Sequence, residues 1–183
     1  PKGSFTVHAF IHPTLPGKGA QGVLTQWSAA ERRGFALVVN AEGKLALRLG
    51  DGAREVEVAG TTPLVARSWY LVAASYDAAT GTVSLYQEPV VSSWNSLLSP
   101  LVPRLDACHH AARVDVKPAP LARPVLLAGW HDREQPQGDV VRGQYNGKID
   151  RCGIQARVLS RAELDAMKAG AEPPADGLIA RWD

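Results

Sequence analysis

The chain has 183 residues, 45% hydrophobic and 21% charged, and twenty Lys and Arg against eighteen Asp and Glu give a formal charge of +2. That is one domain with enough chain to bury a core, and the composition excludes disorder, collagen and a coiled coil. No basic stripe threaded with aromatics marks a nucleic-acid protein, and no apolar run approaches the roughly 20 residues of a membrane span. No leader pattern opens the chain, and residue 1 is Pro, so the expectation is a trimmed fragment or processed product.

Periodicity of two dominates. Phe5, Val7, Ala9 and Ile11 alternate with Thr6, His8, Phe10 and His12, which predicts a strand with one apolar face. A Pro/Gly loop at 13–22 leads to a strand at 22–27, and a charged turn follows at 31–34. Phe35, Leu37 and Val39 form the next strand, and residues 40–43 make a hairpin connection. Leu45, Leu47 and Leu49 continue the alternation, residues 50–52 turn the chain, and residues 55–59 return. Turns every eight to twelve residues are the mark of a sandwich or barrel.

Residues 69–76 are apolar on both faces and read as a central strand. Asp77 to Gly81 turns the chain, and Thr82 to Gln87 runs back antiparallel. Residues 88–124 break the pattern. Six of thirteen prolines lie there (Pro89, Pro100, Pro103, Pro118, Pro120, Pro124), too many for central strands, so the segment reads as an irregular excursion. Val125 to Gly129 resumes a buried strand, a polar loop covers 131–143, and Tyr145 to Val158 brings in the last long strand.

One helix is written plainly. Ser160 and Glu163 form a capping box, Leu159 and Leu164 occupy the positions of a hydrophobic staple, and Gly170 is a natural stop. Residues 172–177 form a linker. Leu178 to Asp183 starts a strand that the chain end cuts off, and the expectation is a boundary inside a longer polypeptide.

These features carry a resemblance. Trp69-Tyr70-Leu71-Val72 with Tyr76-Asp77 and Thr80-Gly81 is similar to the central hairpin of laminin-G-like, concanavalin A-type jelly rolls. Asn146 to Asp150, followed by Val158 to Leu164, is similar to the ending of that superfamily, and Val125 to Gly129 resembles the strand before it. The resemblance spans 5–168 apart from 88–124. It implies two antiparallel sheets packed face to face, whose concave face or loops often bind carbohydrate, sometimes with calcium. A narrower resemblance lies in the last eight residues, Asp176 to Asp183, which look like the junction ahead of the catalytic region in N,N-dimethylformamidase-type large subunits. The metal and catalytic residues of those proteins would fall outside this segment.

Catalytic constellations are weak. Glu55 and Glu57 lack the third acid of a glucanase strand and read as solvent-facing acids on an edge strand. His8, His12, His109, His110 and His131 match no zinc spacing, although Cys108 and His110 would be the best ligand pair. A Cys108 nucleophile beside His109 or His110 lacks an orienting third group. Asp132, Asp139 and Asp150 are the acids available to calcium, without a D-x-D-x-D-G loop. Cys152 alternates with Ile154 and so faces the core. Two free thiols are favoured over a Cys108–Cys152 bridge, which points to the cytoplasm.

The aromatics are the remaining lead. Trp27, Trp69, Trp94, Trp130 and Trp182 are candidate sugar platforms, with Trp69 expected in the core. Trp94 beside Leu97 and Leu98, in a Pro-rich segment, suits a docking surface instead. The expected fold is all-β, a two-sheet antiparallel jelly-roll sandwich with one short C-terminal helix. The jelly roll occupies 1–170, with 171–183 as linker and final strand. The expected function is binding or assembly, as a non-catalytic accessory domain of a larger hydrolytic, N,N-dimethylformamidase-like enzyme. The alternative is a lectin-like carbohydrate-binding module. Candidate binding residues are Trp94, Leu97, Leu98 and Trp130, with no catalytic residue, metal or cofactor. The expected partner is a neighbouring catalytic domain or subunit, with carbohydrate second, and neither nucleic acid nor membrane.

Overall fold

Alternating side chains become thirteen strands and one helix over the residues that the computed structural model describes, 3–90, 106–136 and 138–183. The first seven strands are β1 (Phe5–Pro13), β2 (Gln21–Ser28), β3 (Arg33–Val39), β4 (Lys44–Asp51), β5 (Glu55–Pro63), β6 (Tyr70–Asp77) and β7 (Thr82–Pro89). Then come β8 (Cys108–Arg113), β9 (Leu126–Leu127), β10 (Trp130–Arg133), β11 (Val140–Arg142) and β12 (Gly147–Gln155). The helix α1 (Arg161–Lys168) and β13 (Leu178–Trp182) complete the set.

The strands build a sandwich of two sheets. One has the order β13-β12-β1-β6-β7-β8, and the other β11-β10-β2-β3-β4-β5 with β9 also on β2. Pairing is antiparallel throughout except where His131 of β10 meets Ser28 of β2 in parallel. This is the expected fold.

The inward row of each strand fills the space between the sheets. Phe5, Val7, Ala9 and Ile11 of β1 and Tyr70, Val72, Ala74 and Tyr76 of β6 meet Phe35, Leu37 and Val39 of β3 and Leu45, Leu47 and Leu49 of β4. The Phe5 ring bridges the layers, 5.1 Å from Phe35 and 6.0 Å from Tyr76. Each fully buried side chain of this size contributes roughly 1.5–3 kcal/mol. Cys152 joins this core, as its alternation with Ile154 predicts. Val116 also joins this core, and the segment after it is tied to the second sheet by Ala119 donating to the Gly50 carbonyl and by Gln26 donating to the carbonyls of Leu121 and Arg123.

The outer face of the first sheet differs from expectation. Thr6, His8 and Phe10 are buried as well: α1 packs on Phe10, and its approach bonds the Thr6 hydroxyl through the Arg157 carbonyl and the Leu159 amide. Ser160 caps α1: its hydroxyl accepts from the Glu163 amide at 3.3 Å, and the Glu163 carboxylate accepts from the Ser160 amide at 2.7 Å. Leu159, Leu164 and Met167 then pack on Phe10, Leu71, Ala73 and Tyr86. Polar bonds pin the same elements. Tyr86 donates to Asp165 at 2.7 Å, and Lys168 to Glu88 at 2.9 Å. Trp69 is not in the core; it lies half-buried on this second cluster, its ring 5.2 Å from that of His12.

Three segments correct the sequence reading. Inside the supposed excursion at 88–124, Cys108–Arg113 forms β8 and pairs with β7 along its length, Gln87 opposite Cys108 and Thr82 opposite Arg113. The prolines cluster on either side of this stretch, and a strand with one partner tolerates such flanks. The buried strand at 125–129 shrinks to Leu126–Leu127, because Ala128 turns the chain at φ +62° and leaves Leu127 41% exposed. The polar loop at 131–143 contains the β10–β11 hairpin.

Candidate functional site

The outer face of the second sheet gathers the predicted residue Trp130 with Trp27 and Arg48. Small residues Ala36, Val38 and Ala46 form its floor, on which Trp27 and Trp130 pack. Gly143 lets the Trp130 ring lie down: φ is +64°, and a Cβ there would come within 2.5 Å of Cε3 of that ring. The Arg48 guanidinium sits 5.8 Å from the Trp130 ring centre and 5.9 Å from that of Trp27. Glu57 holds it from the next strand at 2.8 Å. A cation over indole contributes about 0.5–2 kcal/mol depending on desolvation. Trp27 is 1% exposed and Trp130 half-buried, so Arg48 and Gly143 take up much of the platform that a sugar would stack on. Sequence reasoning passed over Arg48; the signal was a lone cation inside the apolar run Leu45 to Leu49.

Arginines occupy the rim acids. Arg123 reaches Glu134 at 2.5 Å and Glu31 and Asp139 at 3.3 Å each, and the Glu134 carboxylate raises its pKa. Arg142 pairs with Asp132 at 2.8 Å, and Arg151 stands 3.5 Å from Asp150. His131 is buried, with Nδ1 3.2 Å from Asp139 but outside hydrogen-bond geometry. The three acids named for calcium thus each face an arginine, and among the described residues no three His, Cys, Asp or Glu gather as a metal site.

The thiols are separate and free, both buried. Burial raises the Cys108 pKa, but hydrogen bonds from Thr61 and Thr62 outweigh it and leave the thiol below its usual value. Its sulfur accepts from the Thr61 amide at 3.2 Å. His109 faces Glu88 at 2.6 Å and the Tyr86 ring edge, so it is committed elsewhere. Burial and Asp150 push Cys152 up to about 12. Glu57 is spent on Arg48 and Asn40, while Glu55 is exposed on the edge strand β5. Trp94, Leu97 and Leu98 lie outside the described residues. Trp182, on the edge strand β13, packs against the main core. The same strand leaves Leu178 40% and Ile179 52% exposed.

A family model described as the concanavalin A-like lectin/glucanases superfamily matches residues 1–104. The chain belongs to that superfamily. Within it, 31% of positions are identical to the N,N-dimethylformamidase beta subunit of Paracoccus aminophilus over 99% of this chain and 24% of that protein. The corresponding subunit of an Alcaligenes species is 29% identical over 100% of this chain and 24% of its own. The chain therefore spans about a quarter of the length of these relatives. Among solved structures, the sialidase module CBM40 of Ruminococcus gnavus, bound to alpha2,3 sialyllactose, superposes with a TM-score of 0.56 at 19% identity, covering 91% of this chain and 83% of that one. This last likeness is one of fold. Among the described residues no helix is long and apolar enough to cross a membrane.

Proposed function

We propose that this jelly roll is a non-catalytic assembly module of a longer, N,N-dimethylformamidase-like amide hydrolase, packing against its catalytic domain or a neighbouring subunit. One observation carries this: similarity to the dimethylformamidase beta subunits runs the length of the chain yet takes in 24% of theirs. Trp94, Leu97 and Leu98 supply the contact, with their apolar area as the driving term. The way Arg48 and Gly143 crowd Trp130 favours docking over sugar stacking.

A lectin-like role is the second reading. It is favoured by the half-exposed Trp130 ring beside the Asp132–Arg142 ion pair, and by the sialyllactose-binding neighbour of the same fold. Parallel calorimetric titrations separate the two. Docking requires binding to the separately expressed remainder of the encoded polypeptide and no heat with a glycan panel. Heat with a glycan, lost in Trp130→Ala, together with silence towards the polypeptide, would replace docking with sugar recognition.

A further inference from the structure

The helix α1 covers only part of the outer face of the first sheet. Beside it runs a cleft of about 350 Å³, within the size range of small-molecule sites. Strand register explains the cleft. Thr6 pairs with Ser75, Ser75 with Ser84, and Ser84 with Ala111, so one transverse row across β1, β6, β7 and β8 carries only small side chains. The adjacent row, His8, Ala73, Tyr86 and His109, is bulkier and makes one wall. Val158, Leu159, Arg161 and Leu164 make the other.

The lining is apolar with donors and no acid. Among the described residues it includes no Asp or Glu, but it includes Arg161 and the hydroxyls of Ser75 and Ser84. Ser75 is 7% exposed, and neither serine hydroxyl has a hydrogen-bond partner among the described residues. Arg161 is only loosely engaged, 3.5 Å from Glu88 and 3.6 Å from Asp165. Charge-assisted bonds close to about 2.7–2.9 Å, so its donors are available to a better acceptor. An anion therefore finds unspent donors here, and a hydrocarbon finds Val158, 39% exposed, with Leu159 and Leu164.

We propose that this cleft binds a small amphipathic carboxylate, with its hydrocarbon body on Val158, Leu159 and Leu164. Its anion meets Arg161 and the two serine hydroxyls. The site lies on the sheet opposite Trp130 and stands independently of the assembly role.

The test is an amide-resolved NMR titration of the 183-residue chain at neutral pH with hexanoate, hexan-1-ol and glucuronate. Hexanoate should give saturable shifts centred on Ser75, Ser84, His110 and Ala111, with a Kd on the order of 1 mM or tighter. Hexan-1-ol, which lacks the charge, should bind at least about tenfold more weakly, as should hexanoate to Arg161→Gln. Glucuronate, which lacks the apolar body, should also be weaker. Ser84→Leu fills the small row and should abolish the shifts; if that variant misfolds, the exposed Arg161→Gln decides alone. The proposal fails if hexan-1-ol or glucuronate binds as tightly as hexanoate, if Arg161→Gln binds unchanged, or if shifts are absent or lie elsewhere.

Discussion

Gly153 of β12 lies opposite His8 of β1, and a Cβ added to Gly153 would stand 2.6 Å from Cε1 of the His8 ring. The glycine makes room for an imidazole that is 0% exposed on the outer face of the first sheet. Gly153→Ala must displace either the ring or β12. It should destabilise the domain by about 1–3 kcal/mol, as overpacking does elsewhere. A urea midpoint equal to wild type would show that the ring has room to move.

Burial lowers the His8 pKa from 6.5 to about 4, and among the described residues neither ring nitrogen finds a hydrogen-bond partner. The unfolded chain therefore takes up this proton first. Stability is full above pH 6.5 and declines as pH falls through 6.5 towards 4, by about 3 kcal/mol in total. His8→Leu should flatten the pH dependence of the unfolding free energy across that window. An unchanged slope would place the acid sensitivity in another group.

The helix cap offers a smaller, separable term. Ser160→Ala removes the hydroxyl that accepts from the Glu163 amide and should cost on the order of 1 kcal/mol. The Glu163 carboxylate is held down at about 2, first by the Arg157 side chain and then by the Ser160 amide. Its contribution is present above about pH 4.5 and lost as pH falls towards 2, opposite in cause to His8 and lower in range. Glu163→Gln should remove that limb in acid titrations monitored by circular dichroism.

Arg48→Ala should uncover both indoles of the second sheet and strand Glu57 without its partner. The expected loss is about 1–2 kcal/mol. Acrylamide should also quench the tryptophan emission more efficiently. If quenching stays at the wild-type level, Arg48 is not what shields the rings.

The elements legible in the sequence were those whose reasons are local. The β6–β7 hairpin announced itself through two apolar runs around Asp77 to Gly81, and α1 through Ser160 and Glu163. β8 was hidden because what makes it a strand is its pairing with β7, which its own residues do not encode. Cys108 to Arg113 has no clean alternation, and prolines surround it. β9 fails for the converse reason: Val125 to Gly129 looks like a strand, but Ala128 takes up φ +62° and its carbonyl accepts from the Tyr145 amide, a partner far along the chain. The Arg48 sandwich and the small row of Thr6, Ser75, Ser84 and Ala111 are products of register, so neither exists until strands pair.

The assembly role is tested most directly by association of the chain with the remainder of the encoded polypeptide, measured by sedimentation velocity for wild type and for a Trp94→Ala, Leu98→Ala double variant. Wild type should form a stoichiometric complex. The double variant should bind at least about tenfold more weakly, given roughly 1.5–3 kcal/mol for each fully buried large side chain. Its circular dichroism and thermal midpoint should match wild type. No complex with wild type, equal binding by the variant, or unfolding of the variant alone would contradict docking through Trp94 and Leu98.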